Sequence, residues 1–411
     1  MKLSIYQYNS LILFLLLWVL PVDMLNGVLL QNNVNLPISI SQLYKILILV
    51  LMLIRIFGTT TMTIIYFAFI TFCLGSVIQS LSSFRFNFIF QDFIKTTKYL
   101  SILIAFFYFK RIFQENNSKT IEKVFKWLEF SYWVLAFNIV IKLVHLGYPM
   151  YEYGEIGTKG FFYAGNEISS LLLVTYGIIA HKILIVNQKR IKFFFFFLFN
   201  VFLAILIISK TSVLWILVIS FFLYFGLGTY KVNLTAVKRL LVSIGIIIPM
   251  VLFFLYKTIL NLPLIVRLQY FWEKLDFVTF IFSSRNLEAK KMFTIYNDDF
   301  TIVQKLIGGG QYFYESKTHH IVEIDLLDIF FAYGILGALL FCFFITLLLA
   351  QSYTLKKTSK YPFANLTFLM SLVLFVISSI AGHIYNSGIA GNFIALLFAM
   401  MYIKKNERQV T

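Results

Sequence analysis

The chain has 411 residues, of which 60% are hydrophobic and only 13% charged, so it cannot present the water-facing surface of a soluble globular domain. Its net charge of +17 would suit nucleic acid only if the basic residues formed one polar surface. Apolar runs recur along the whole chain, each long enough to cross a hydrocarbon core about 30 Å thick. We therefore predict a single all-α, polytopic integral-membrane domain over residues 1–411, with no nucleic-acid partner.

The hydropathy pattern predicts about twelve transmembrane helices. The apolar run of the first follows one lysine and has no small-residue cleavage site, which favours an uncleaved helix over a signal peptide. Basic residues concentrate on the connections that share a side with the amino terminus, whereas the opposite connections carry nearly balanced charge. The positive-inside rule then places both termini in the cytoplasm. The predicted spans are 8–28, 42–57, 59–77, 99–114, 127–147, 164–185, 193–208, 211–230, 240–259, 326–351, 362–382 and 387–403.

Polar candidates first gather in the outer connection 147–167, which reads "GYPMYEYGEIGTKGFFYAGNE". Lys159 lies within it, Asn166 is placed to cap the sixth span, and Glu167 would follow in the first helical turn. Lys210 occupies a tight outer turn between the seventh and eighth spans, where a lysine is unusual but can extend its amine to the membrane surface.

The longest connection, about 261–326, separates the ninth and tenth spans and is predicted to be a large extracytoplasmic loop. Connections of this length are usually functional. Arg267 lies among aromatic residues typical of the membrane interface. Arg285, in "SSRN", is either a solvated loop residue or a guanidinium that grips a phosphate in two places. The triple glycine at 308–310 is not a nucleotide-binding loop, because no Gly-Lys-Ser/Thr follows it.

Ionisable side chains concentrate in "HHIVEIDLLDIFFAYGILG", residues 319–337, at the start of the tenth span. Carboxylates there would favour the positive end of a helix dipole without any other role, and Asp325 could be a cap. Two histidines and three acids exceed what a cap requires, so the cluster is a candidate acid–base site. Its glycines, Gly334 and Gly337, permit close helix packing. The cluster consists of His319, His320, Glu323, Asp325 and Asp328.

A metal site is the weaker interpretation of this cluster. Glu323 and Asp325 match a carboxylate-x-carboxylate pattern that suits magnesium or manganese. That pattern faces outward, where nucleotide sugars are absent, and the two side chains would project to different faces of a helix. Cys73 and Cys342 lie inside apolar runs as packing residues. We expect no metal and no cofactor.

These residues, with the predicted topology, resemble the bacterial O-antigen polymerase and ligase family. The ligase branch typically reads His-Asn-x-x-Leu, six residues, then Gly-x-x-Gly. Leu327, Gly334 and Gly337 fall in that register, but Glu323 and Ile324 stand where His-Asn would be, which favours the polymerase branch. "TKGFFYAGNEISSLLL" at 158–173, and "SSRN" followed by "LIGGGQYF", resemble two further family segments.

The resemblance implies a glycosyltransferase of the bacterial cytoplasmic membrane that works without metal on the outer face. Its donor and acceptor would be polyprenyl-diphosphate-linked oligosaccharides, used for capsule, O-antigen or exopolysaccharide. A flippase and a chain-length regulator of the same pathway would be its partners.

Physical chemistry then suggests roles for the candidate residues. Cations would stabilise the leaving diphosphate, with Arg285 first and Arg267, Lys159 and Lys210 behind it. Glu323 would be the general base that accepts the proton of the acceptor hydroxyl, or His320, with His319 beside it, would take this role. Asp325 and Asp328 would orient the acceptor or their helix neighbours. Asn166 and Glu167, as part of the family-like segment, are expected to bind substrate.

Three alternatives remain open at the level of the sequence. A ligase would pass finished glycan to a different acceptor, and differs only in the His-Asn motif. A transporter or lipid-oligosaccharide flippase should carry ionisable residues at mid-membrane and an internal repeat, and the chain shows neither pattern. A non-catalytic scaffold would tolerate changes at Arg285 and Glu323.

Overall fold

A computed structural model describes residues 4–34, 36, 38–84, 86–151, 156–225, 263–318, 321–382 and 384–405. Across this described part the secondary structure is helical, apart from isolated β-bridges that join Tyr148 to Gly160 and Tyr151 to Ile156. The predicted all-α class is therefore confirmed for these residues.

The helices before residue 226 follow the predicted spans closely. A bend at Trp18 divides the first span into two helices, and a short 3-10 helix and a π-helix extend α6 and α7 at their carboxyl ends. The helices are α1 (Ile5–Leu17), α2 (Val19–Gln31), α3 (Ile40–Ile56), α4 (Thr61–Ser83), α5 (Asn87–Gln114), α6 (Ser118–Val140), α7 (Gly165–His181), α8 (Arg190–Ile207) and α9 (Lys210–Phe225).

After residue 262 the chain first forms short helices where the sequence predicted a large loop, then long apolar ones. The short helices are α10 (Pro263–Lys274), α11 (Phe277–Phe282), α12 (Arg285–Asp299), α13 (Ile302–Ile307) and α14 (Gln311–Thr318). The long ones are α15 (Asp325–Lys356) and α16 (Ala364–Ile380), and the shorter apolar α17 (Gly391–Ala399) follows with a 3-10 turn at Met400–Tyr402. The predicted ninth span, 240–259, lies outside the described residues.

Six helical segments of the described chain are long and apolar enough to cross a membrane. These helices also turn large apolar side chains outward, among them Phe67, Phe137 and Phe343, each more than half exposed. Hydrocarbon rather than water is the environment in which such surfaces are stable. The protein is thus a multi-pass membrane protein.

The largest departure from the predicted spans is α5, which begins twelve residues before the predicted start at residue 99. This added part mixes polar and charged residues with apolar ones, and its sequence predicts a connection. Asp92 and Thr96 are nevertheless buried within it, and Lys95 pairs with Glu315 of α14. Tertiary partners therefore extend the helix beyond its apolar run. Further along, α5 packs against α3, α4 and α17.

Three glycines bring the short helices against the long ones. Gly334 has a φ of +67° and breaks α15, so the helix bends there. The Ala332 carbonyl accepts the Gly310 amide hydrogen at 2.9 Å. A methyl group on Gly334 or Gly308 would overlap the facing backbone, and one on Gly75 of α4 would overlap the carbonyl of Gly308. Gly334 thus permits a close approach of α15 to the end of α13, and the triple glycine is buried in this contact.

Candidate active site

A cavity of about 650 Å³ opens between α7, α9, α11 and the turn that follows α16. We call it the Arg285 cavity. Among the described residues, its charged lining consists of Lys210, Arg285 and Glu323. Hydroxyl groups contribute from Ser169, Ser170, Ser209, Thr211, Ser212, Ser283 and Ser284. Apolar side chains line the rest, including Leu173, Leu214, Trp215, Phe271, Phe280, Ile377 and Ile380. Such a mixed lining can accommodate a charged group and an apolar chain together.

Arg285 and Glu323 form an ion pair at this cavity. The Nη2 atom of Arg285 donates to Oε2 of Glu323 at 2.7 Å, and Nε donates to the same oxygen at 3.2 Å. The Arg285 side chain is 16% exposed and the Glu323 side chain 37% exposed. The pair is therefore partly sheltered from water but reachable from the cavity, and two residues predicted separately to be catalytic lie in direct contact.

Local backbone geometry directs Arg285 toward the cavity. Ser283 and Ser284, directly before it, both have positive φ values of 52° and 69°. Asp276 caps α11, because its carboxylate accepts the Thr279 amide hydrogen at 3.1 Å. The hydrogen bond from the Thr279 hydroxyl, followed by the one from this amide, lowers the pKa of the Asp276 carboxyl. Consecutive left-handed residues that are not glycine are costly and commonly occur at functional sites.

Glu323 is held in the same kind of backbone conformation. Its φ is +63°, and a methyl group on Gly382 would overlap its carbonyl. Gly382 follows α16, so the end of that helix presses directly on the residue that carries the carboxylate. Only glycine fits at 382, because both its own φ of +59° and this contact exclude a side chain.

Asp325 and Asp328 are buried and hydrogen-bonded to the chain itself. Oδ2 of Asp325 accepts the amide hydrogens of Ile384 and Tyr385, both at 2.9 Å. Oδ1 of Asp328 accepts from the Tyr314 hydroxyl at 2.7 Å and from the Val322 amide at 3.0 Å. The cap expected at Asp325 is wrong, since Ile324 is the N-cap residue of α15 and Asp325 begins the helix.

Lys210 is the third predicted site residue that lines the Arg285 cavity. Its amine donates to the Phe280 carbonyl at 2.9 Å and lies 4.9 Å from the centroid of that ring. It thereby links the start of α9 to α11, directly before the turn that presents Arg285. The amine supplies a second positive charge to the lining.

Lys159 and Glu167 lie outside the described lining of this cavity. The Lys159 backbone bonds to Tyr148 and Asn138, and its amine lies 5.8 Å from the Tyr163 ring. Oε2 of Glu167 accepts the Ser387 hydroxyl at 2.6 Å and the Ile389 amide at 2.9 Å, tying α7 to the segment before α17. Glu167 is in the first turn of α7 as predicted.

Other predicted residues are only partly described. Asn166 lies inside α7, so the N-cap predicted there is wrong and Ala164 takes that position. Arg267 belongs to α10. The side chains of Asn166 and Arg267, and the whole of His319 and His320, lie outside the described residues.

Sequence reasoning missed the aromatic and hydroxyl lining of the cavity. The residues around Lys210 had a visible signal, because "SKTS" at 209–212 is a polar cluster at the start of an apolar helix, whereas Trp215 lies inside that helix's apolar run. Ser169 and Ser170 gave no signal, since isolated serines are ordinary inside membrane helices. In the described chain, no group of three or more His, Cys, Asp or Glu side chains is arranged to hold a metal ion.

The arrangement suits acid–base chemistry beside an anion. A guanidinium and an amine supply positive charge, a carboxylate that can accept a proton lies 2.7 Å from the guanidinium, and apolar walls limit water.

Comparison with known proteins bears on the same part of the chain. The family described as O-antigen ligase like membrane protein matches residues 267–407. No curated protein and no solved structure matches the chain. Arg285 and Glu323 lie within the matched residues, whereas Lys159, Glu167 and Lys210 precede them.

Proposed function

We propose that the chain polymerises polyprenyl-diphosphate-linked oligosaccharide repeat units, a function supported by the match of residues 267–407 to the family described as O-antigen ligase like membrane protein. The family match and the membrane spans support a membrane enzyme of the glycan-transfer type. In the proposal, donor and acceptor meet on the outer face of the bacterial cytoplasmic membrane, and both termini are cytoplasmic. A flippase would supply the lipid-linked units, and a chain-length regulator would act on the product.

The contact between Arg285 and Glu323 at the cavity is the observation that carries this proposal. As the glycosidic bond breaks, negative charge develops on the leaving diphosphate. A planar guanidinium can bind two phosphate oxygens at once and stabilise this charge without a metal ion. The incoming diphosphate would compete with Glu323 for Arg285.

Displacement would leave the Glu323 carboxylate able to act as base. It takes the proton of the acceptor hydroxyl while that oxygen attacks the anomeric carbon of the donor. One carbon–oxygen bond forms, the bond from that carbon to the diphosphate oxygen breaks, and polyprenyl diphosphate leaves. Lys210 would add positive charge on the facing wall.

The sequence at 323–324 supports polymerase over ligase. Glu323 and Ile324 stand where the ligase branch typically carries His-Asn. Ligation is the second candidate, and the ligase-like description of the family that matches favours it. The two functions differ in the acceptor: another lipid-linked repeat unit for a polymerase, a different molecule for a ligase.

Alanine substitution of Arg285 and of Glu323, made separately, tests the proposal. Each variant would be expressed in cells lacking the native copy, and surface and lipid-linked glycan would be sized on gels. We expect each substitution to lower polymerisation roughly 100-fold or more, because it removes a charge stabiliser or the base. A single lipid-linked repeat unit should accumulate on the outer leaflet.

Two matched variants control for folding and local charge. Arg190→Ala removes an exposed arginine of α8, and Glu288→Ala removes a glutamate paired with Lys291 near the site. Both should polymerise normally at equal membrane levels. Long lipid-linked chains that never reach a terminal acceptor would establish a ligase. Repeat units held on the cytoplasmic leaflet would establish a transporter, and unaffected glycan would establish a scaffold.

A further inference from the structure

A buried hydroxyl outside the Arg285 cavity contacts the chain beside Glu323. Tyr314 of α14 is fully buried, and its hydroxyl donates to Oδ1 of Asp328 at 2.7 Å. The same hydroxyl accepts the Val322 amide hydrogen at 2.7 Å, and that amide also reaches Oδ1 of Asp328 at 3.0 Å. The Tyr314 hydroxyl, the Asp328 carboxylate and the Val322 amide therefore meet at Val322, the residue directly before Glu323.

The protonation state of the tyrosine fits this geometry. Burial, and then the charge of Asp328, raise the pKa of Tyr314 above its ordinary value. Its hydroxyl therefore stays protonated, so it can donate to the carboxylate while it accepts from the amide. A buried carboxylate with such partners has a fixed orientation.

Glu323 needs external support for its conformation. A φ of +63° is uncommon and unfavourable for a residue with a side chain. On one side, the Glu323 carbonyl packs against Gly382. Asp325 holds the turn that follows Gly382 by accepting the amide hydrogens of Ile384 and Tyr385. The bonds to Val322 act on the other side.

We infer that Tyr314 is a positioning residue of this site: with Asp328 it holds the Val322 amide and so fixes the Glu323 carboxylate against Arg285. Asp328 acts in the same way, through the backbone rather than by touching the sugar. The inference rests on the proposed function only for its effect on the rate of glycan transfer. The position of Glu323 can be measured without any turnover.

Tyr314→Phe removes the hydroxyl and keeps the ring. In the purified full-length protein we expect the kcat for repeat-unit joining to fall roughly tenfold or more, because small displacements of a reacting group are costly. KM should stay within about twofold, because Tyr314 does not line the described cavity. Tyr132→Phe is the matched control, since Tyr132 is equally buried and accepts one hydrogen bond from Asn200 far along the chain.

A double substitution separates positioning from general destabilisation. In a Glu323→Gln background, Tyr314→Phe should cause almost no further loss, because the group that it positions is already inactive. An equal additional loss in that background would overturn the inference.

Carbodiimide labelling of Glu323, quantified by peptide mass spectrometry, gives a readout that needs no activity. We expect several-fold faster labelling in Tyr314→Phe, where the pair with Arg285 loosens, and wild-type labelling in Tyr132→Phe. If Tyr314→Phe is labelled faster but the wild type does not polymerise repeat units, the proposed function is wrong and this inference stands. Unchanged labelling, or an equal increase in both variants, would overturn it. If Tyr314→Phe fails to accumulate, Asp328→Asn should shift both readouts in the same direction.

Discussion

Asp92 ties two distant parts of the chain together through one carboxylate. Its Oδ1 accepts the Tyr312 amide hydrogen at 2.5 Å, at the start of α14, although 220 residues separate the two. Burial raises the pKa of Asp92 to about 7, against the lowering effects of the Tyr312 amide and the Lys95 charge. Glu315, close by, raises it further. The folded protein therefore prefers this carboxyl protonated.

The resulting pH dependence of α14 docking has a definite sign. The pKa of Asp92 is higher in the folded state, so its stabilising contribution is complete below about pH 4 and is lost as pH rises toward 7. Amide exchange in residues 311–318, corrected for intrinsic rates, should show less protection at pH 8 than at pH 5. Asp92→Asn should abolish this difference, and Asp299→Asn, an exposed acid paired with Lys317, should keep it. A pH dependence that survives in Asp92→Asn would contradict this assignment.

At this scale the sequence pointed to single residues of the cavity better than to their contact partners. Arg285, Glu323 and Lys210 were identified by residue type and place in the chain, and they line one cavity. Tyr314 and Asp92 were not identified, because their roles depend on contacts between segments that are remote in sequence or separated by a turn. A buried tyrosine in a membrane protein carries no local mark that distinguishes packing from positioning.

Among the helices, α15 shows how a single glycine can bend an apolar helix and expose a backbone carbonyl to a tertiary contact. Its hydropathy predicts one uninterrupted span, but Gly334 breaks it. The bend leaves the Ala332 carbonyl available to the Gly310 amide. The pattern predicted that the helix exists and approximately where it begins, but a bend set by a tertiary contact has no hydropathy signature.

Gly334→Ala should destabilise the protein strongly. A side chain would have to adopt a φ of +67° and would overlap the backbone of Leu306 and Gly308. We expect a loss of at least about 2 kcal/mol, seen as a lower Tm in detergent and faster proteolysis of residues 302–318. Gly388→Ala is the control, because a methyl there meets nothing closer than 3.9 Å. Equal Tm values for the two variants would show that the bend is not held by this contact.

For the whole molecule, the distribution of charge predicts an orientation that the helices alone do not fix. Helices occupy the predicted spans throughout the described residues, since length and apolar character are strong signals. The packing order of those helices, and the folding of 263–318 into five short ones, required contacts that hydropathy does not encode.

Cysteine labelling would test the orientation directly. In a Cys73→Ser, Cys342→Ser background, Lys290→Cys would report on α12 and Lys360→Cys on the connection before α16, both at exposed positions. A membrane-impermeant maleimide added to spheroplasts should label position 290, and should label position 360 only after the membrane is opened. The reverse pattern would invert the topology and move the Arg285 cavity to the cytoplasmic side.

The glycine contact between Gly75, Gly308 and Gly334 also bears on how this protein can change over evolutionary time. The contact there is backbone against backbone, so it demands small residues at these three positions, whereas Asp92 and the Tyr314–Asp328 bond hold α14 separately. Substitutions on α10 to α14 that spare these contacts can therefore alter the surface around the Arg285 cavity without loosening that attachment. Such a division, in which a few fixed contacts free the neighbouring residues to diversify, would let the chain change what it binds while it keeps its fold.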